Sequence, residues 1–142
     1  MKALTLTQPW ATLVAIGAKT IETRSWPTKY RGPLAIHAAK GFPEYARERF
    51  FNWEFREPLE AAGYKSFADL PLGVIVATCE LVKVEEIVIG SMIPLGGEWH
   101  FGDYSYGRYM WHLKNVQALP TPILARGALS LWEWDASSLA TT

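Results

Sequence analysis

The densest group of side chains able to do chemistry lies in Gly17-Ala18-Lys19-Thr20-Ile21-Glu22-Thr23-Arg24, which spells G-x-K-x-x-E-x-R. Side chains alternate along a strand, so Glu22 and Arg24 share a face. There they either form a structural ion pair that locks the turn, or flank one ligand with a carboxylate acceptor and a guanidinium fork. Lys19 follows Gly17, a residue suited to ending a helix at positive φ. Its side chain is expected to leave a turn with no need to pack, so that its removal costs little stability. Pointing inward, its ammonium would be open to a depressed pKa and to work as base or nucleophile.

The elements that must position this motif follow from pattern. Ala3 to Thr7 reads as a strand, and Pro9 opens a helix reaching Ala18, with Trp10, Leu13, Val14 and Gly17 on one face. Lys19 to Arg24 reads as a strand and Trp26 to Gly32 as a loop. Leu34 to Ala38 is a short strand. A second helix should run from Gly41 and Pro43 to about Arg56, broken by Pro58, with one more turn over Leu59 to Ala62. Phe50, Phe51, Trp53 and Phe55 along it face several directions. Leu72 to Val84 contains the continuous apolar run Gly73 to Ala77 and is expected to be buried on both faces. Residues 90–107, with five glycines and one proline, form a long loop. Arg108 to Leu113 and Leu124 to Trp134 close the fold, and 136–142 is expected to be a flexible tail. About six strands and two main helices around one core predict a single α+β domain over 1–142, a mixed barrel.

Composition sets outer limits. Hydrophobic residues are 49% of the 142, and 14 basic residues balance 14 acidic ones. Zero net charge argues against tight, non-specific duplex binding. A local basic excess survives: from Lys19 to Arg31 stand Lys19, Arg24, Lys29 and Arg31 against Glu22 alone, and Lys40 extends the patch. Loop aromatics Trp26, Tyr30, Trp99, Phe101, Tyr104 and Tyr106 could surround it. Cations for phosphates and rings for bases suit single-stranded nucleic acid. Cys79, the one cysteine, reads as a buried, inert thiol. His37 reads as a hydrogen-bonded core histidine. His100 and His112 lack partners at metal-ligand spacing, so no metal and no cofactor are expected. The start of the chain has no signal pattern and no apolar stretch is long enough for a bilayer, so the expectation is a soluble, cytoplasmic protein with no membrane partner.

Beyond the motif, ordered blocks resemble the ASCH family (activating signal cointegrator homology domains), relatives of the PUA domains that bind RNA. Gln8-Pro9-Trp10-Ala11 is similar to the family's Q-P-W-A. Arg24-Ser25-Trp26, Tyr30-Arg31-Gly32-Pro33-Leu34 and Ile36-His37-Ala38 follow in family order. Tyr106-Gly107-Arg108-Tyr109, then Trp111-His112-Leu113 and Asn115, resemble the family's aromatic-glycine strand. The resemblance implies a PUA-like barrel and places Trp10 near the cleft. It implies a binder of RNA, single-stranded nucleic acid or a nucleobase, using Trp10, Arg24, Trp26, Lys29, Tyr30, Arg31, Tyr106 and Arg108, with Gly17 as the structural turn. The alternative it implies is a metal-independent hydrolase acting on RNA or on N4-acylated cytidine, with Lys19 and Glu22 catalytic. In the family's amidohydrolases a lysine and a threonine act with a glutamate. Lys19 matches that lysine, Glu22 stands at the threonine position, and Glu80 and Glu85 are candidates for the glutamate. An open cavity reached by both Lys19 and Glu22 would favour the enzyme, and a shallow basic face with stacked aromatics and a buried Glu22 the binder.

Overall fold

The structure, a computed structural model, describes residues 1–141. Its six strands are β1 (Lys2–Leu6), β2 (Ile21–Arg24), β3 (Gly32–Ala38), β4 (Val74–Glu86), β5 (Tyr109–Leu124) and β6 (Leu131–Glu133). They form one mixed sheet in the order β2-β5-β4-β3-β1-β6. β1 and β3 pair in parallel, the other neighbours antiparallel. A parallel pair needs a crossover. Here helix α1 (Trp10–Ala15) and strand β2 supply it, and β2 ends up on the far edge of the sheet.

The sheet curls into a half-barrel. Arg24 on edge strand β2 donates from Nη2 to the Thr5 carbonyl of β1 at 2.9 Å. Four strand spacings separate these strands in the sheet order, ~19 Å if the sheet were flat. Only strong coiling brings them into contact, and the Arg24 side chain spans the remaining seam.

The inner face carries the main core. Leu4 and Leu6, Leu34 and Ile36, and Val74 and Val76 alternate into it, joined by Ala11 and Val14 of α1 and by Trp111. The opposite face is covered too: Ala3, Ala35 and Ile75 pack with Trp134. Two-sided burial explains why Val74 to Ala77 is uniformly apolar. Cys79 is buried, and desolvation, reinforced by the charge of Glu80, pushes its thiol up to about 12.

The closing strand is longer than expected. β5 runs through Pro120 and Pro122. Ile75 faces Ile123 and Ala77 faces Ala118, which leaves Leu119 to Pro122 opposite Val76 alone. The prolines occupy this bulge, where no ladder hydrogen bond is required of them.

The second helical region breaks at a different place from the one expected. Helix α2 (Glu44–Glu48) and a 3-10 turn (Arg49–Phe51) end at Asn52, whose backbone is extended, and α3 (Trp53–Ala61) continues through Pro58. An internal proline costs about 3 kcal/mol. Phe55 and Leu59 on α3 are buried against Leu13, Phe50 and Phe101, each contributing about 1.5–3 kcal/mol, so packing wins. Phe51 and Trp53 stay exposed. Within the 90–107 segment a short helix α4 (Gly97–His100) forms. A 3-10 turn covers Ala136–Thr141, with Ala136 and Leu139 against the outer core. Of the segment expected to be a flexible tail, Thr142 lies outside the described residues. No helix among the described residues is long and apolar enough to cross a membrane.

Candidate functional site

The motif is built from the end of α1 outward. Gln8, fully buried, accepts the Thr12 N–H with Oε1 at 3.0 Å and donates from Nε2 to Thr12 Oγ1 and the Pro71 carbonyl. This fixes the start of α1. Gly17, at φ 83°, ends it, and Lys19 N–H returns to the Leu13 carbonyl at 3.0 Å. That return corrects the expected fate of Lys19. Its side chain turns inward and is 0% exposed. Nζ donates to the Ile21 carbonyl at 2.6 Å and the Phe101 carbonyl at 3.2 Å, and pairs with Glu22 Oε1 at 3.3 Å. A fully buried ammonium is tolerated only with such a complete set of acceptors.

Glu22 and Arg24 share a face, as period two requires. Arg24 Nη2 meets Glu22 Oε2 at 2.9 Å. Glu22 therefore lies between two cations, one buried behind it and one half-exposed in front. Arg24 Nε is a buried donor with no hydrogen-bond partner among the described residues.

In front of this pair opens a cleft of 810 Å³ along the half-barrel seam. One wall is the end of β1, Thr5 to Thr7, continuing to Trp10. The other is Glu22 to Trp26. Tyr45 and Arg49 come from the α2 region, and Trp99 to Asp103 and Arg108 complete the lining. Trp10 is half-buried, edge-on to Phe55 at a centroid distance of 6.0 Å. Trp26 meets Trp111 edge-on at 4.8 Å, and its carbonyl accepts the Trp111 Nε1–H at 3.3 Å. Trp99 is 49% exposed.

The segment bearing Trp99 is anchored by its neighbour. Glu98 accepts the N–H groups of Thr20 and Ile21 at 2.9 and 3.1 Å and the Thr20 hydroxyl at 3.1 Å, so α4 caps the free edge of β2. Asp103 N–H donates to Thr23 Oγ1 at 3.0 Å. The Ser105 hydroxyl and N–H, with Arg108 adding its charge, hold the Asp103 carboxyl below the usual carboxylate range. Arg108 also donates from Nε to the Asp103 carbonyl at 3.1 Å.

The cleft thus gathers Glu22, Trp10, Arg24, Trp26 and Arg108 from the expected set, with Gly17 in the turn behind them. Lys19 stands behind Glu22 and does not line it. Lys29, Tyr30, Arg31 and Tyr106 do not line it either. Arg31 folds back on the Thr28 and Tyr30 carbonyls, both at 2.8 Å, and the Tyr30 hydroxyl donates to the Pro33 carbonyl. Tyr106 is exposed beyond the rim. Glu85 is tied to His112 at 2.8 Å and to Lys83 at 3.3 Å, and Glu80 accepts from Asn115 at 3.2 Å. Both lie outside the cleft.

Arg49, Tyr45, His100 and Asp103 are lining residues that sequence reasoning did not select. Arg49 sits among alternating charges on a helical stretch, where nothing local separates a solvated side chain from a lining one. No group of three His, Cys, Asp or Glu among the described residues could hold a metal ion.

The comparisons with known proteins concern this same framework. The ASCH domain model matches residues 4–122. No curated protein sequence matches the chain. The crystal structure of ASCH from Zymomonas mobilis superposes with a TM-score of 0.56 at 12% identity, covering 99% of this chain and 90% of that one. A tyrosine-to-phenylalanine mutant of the Zymomonas mobilis protein gives 0.58 at 13% identity, covering 99% and 96%. Such low identity speaks to the fold alone, a likeness that spans both chains. The sequence match takes in the Gln8-to-Ala11 block, the G-x-K-x-x-E-x-R turn and the β5 strand that together build the seam, and the chain belongs to the ASCH domain family.

Proposed function

We propose that the seam cleft binds single-stranded RNA, or a nucleobase presented by it. The observation that carries this is the meeting of three indoles, Trp10, Trp26 and Trp99, with three arginines, Arg24, Arg49 and Arg108, around one opening. Bases stack on aromatic faces at about 1–3 kcal/mol each, while guanidinium groups take phosphates or base carbonyls. The placement of Lys19 also favours binding. An ammonium already holding three acceptors has no donor left for a substrate, so Lys19 acts by positioning Glu22.

Titration of labelled single-stranded RNA and duplex DNA, followed by anisotropy at several salt concentrations, tests the reading. Tighter binding of the single strand with a shallow salt slope is expected, because few cations face the cleft. Equal affinity for the duplex would overturn it. A second reading, hydrolysis of RNA or N4-acylated cytidine, is supported by the Glu22 carboxylate, which lines the cleft and has the chemistry of a general base. Turnover of either substrate by the wild type that is lost in Glu22→Gln would establish it. No turnover by the wild type would reject it.

A further inference from the structure

A second groove, of 1050 Å³, lies on the other side of β1 and is lined by no acidic residue. Its cations are Lys40 and Arg126, which have no hydrogen bond or ion pair among the described residues. Its apolar edges are Leu72, Leu124 and Leu129, the last two 84% and 92% exposed. Unpaired positive charge beside exposed apolar surface calls for an anionic ligand with an apolar body.

The two openings share one residue. The Thr5 carbonyl accepts Arg24 on the seam side. Thr5 Oγ1 meets His37 Nδ1 at 3.1 Å on the other side and accepts the Trp132 Nε1–H at 3.0 Å. His37 Nε2 donates to the Ala125 carbonyl at 2.7 Å. Both ring nitrogens are thereby occupied, so His37 belongs to the floor and not to the ligand contacts. Gly127 crosses this floor so closely that an added Cβ would come within 2.7 Å of the His37 ring and 2.8 Å of Thr5 Oγ1. The floor is preorganised.

We infer that a single RNA strand lying in the seam cleft continues across Thr5 into this groove, with phosphates on Lys40 and Arg126 and bases against the leucines. The inference rests on the RNA reading of the seam cleft. It extends that reading to a strand of several nucleotides, because continuity through Thr5 and charge complementarity both favour the same polyanion.

The test uses fluorescein-labelled oligouridylates, a trinucleotide and an octanucleotide, with the wild-type chain, the Lys40→Ala/Arg126→Ala double variant and Lys114→Ala as a charge control on the β5 surface. The octanucleotide should bind the wild type more tightly than the trinucleotide. The double variant should weaken the octanucleotide about tenfold and lower its salt slope by about 1.4, or about 0.7 for each phosphate no longer neutralised. Trinucleotide binding should stay unchanged. An octanucleotide indifferent to the double variant, or equally weakened by Lys114→Ala, overturns the extension while trinucleotide binding leaves the seam reading standing. No binding of either oligomer by the wild type overturns both. Decanoate shifting the groove's NMR signals where the octanucleotide does not would assign the groove to a carboxylated aliphatic ligand and overturn the inference.

Discussion

Two adjacent stretches carry the same kind of charge and meet opposite fates. In the motif turn, Lys19 and Arg24 are drawn inward and share the Glu22 carboxylate. A few residues later Lys29 and Arg31 lie on the surface, and Arg31 bonds only to its own loop. The difference is the availability of acceptors. Lys19 meets the Ile21 carbonyl and the Glu22 carboxylate of its own turn and the Phe101 carbonyl from a distant segment, enough to replace water around a buried ammonium. The loop after Trp26 gives Arg31 two carbonyls of its own but no carboxylate and no covering segment, so Lys29 and Arg31 stay exposed. A count of basic residues treats the two stretches as one patch, whereas burial divides them into a structural anchor and a surface.

The largest effect should come from the anchor. Lys19→Ala leaves the Glu22 carboxylate without its buried partner and orphans the Ile21 and Phe101 carbonyls. Breaking a buried pair this way costs about 3–5 kcal/mol, read as a lower urea midpoint at unchanged slope. A loss under about 0.5 kcal/mol, the size expected for a solvated side chain, would break the contrast.

Trp99→Ala should act on the ligand and spare the fold. The indole is half-exposed at the cleft rim, so RNA affinity should fall by about 1–3 kcal/mol with the melting temperature unchanged. A drop in melting temperature without an affinity change would make Trp99 a packing residue.

Burial also governs His37, on the far side of β1. Desolvation lowers its pKa below 6.5, and the bond to the Ala125 carbonyl opposes this only in part. The unfolded state therefore binds a proton that the folded state refuses. Stability should be full above pH 6.5 and fall as the pH drops through 6.5 towards the lower folded value. Denaturation midpoints measured across that window in wild type and His37→Gln should show the slope in the first and lose it in the second.

The smallest effects belong to the loop. Lys29→Ala and Arg31→Ala should each change folding and RNA affinity by no more than about 0.5 kcal/mol. A larger loss of RNA affinity, measured by anisotropy at low salt, would return the loop to the ligand path.

Much of this architecture is written in local pattern. The helix face of Leu13 and Val14, the Gly17 turn, the apolar run after Gly73 and the shared face of Glu22 and Arg24 all follow from periodicity and backbone preference, which act over a few residues. The strand through Pro120 and Pro122 was not legible, because their tolerance depends on a bulge created by the partner strand. The helix through Pro58 was not legible either, because burial of Phe55 and Leu59 decides it from outside the helix.

The same division runs through the site. Sequence alone determined which residues meet at the turn, since Gly17, Lys19, Glu22 and Arg24 are fixed in spacing by a helix end and a strand. It also determined the family, through blocks whose order the chain preserves. Only the tertiary structure decided which of these groups meets solvent. That choice depends on the coiling of a six-stranded sheet that brings β2 against β1, and on Phe101, distant in the chain, supplying a carbonyl to Lys19. Desolvation is a property of everything packed around a side chain, so no stretch of sequence around Lys19 contains it.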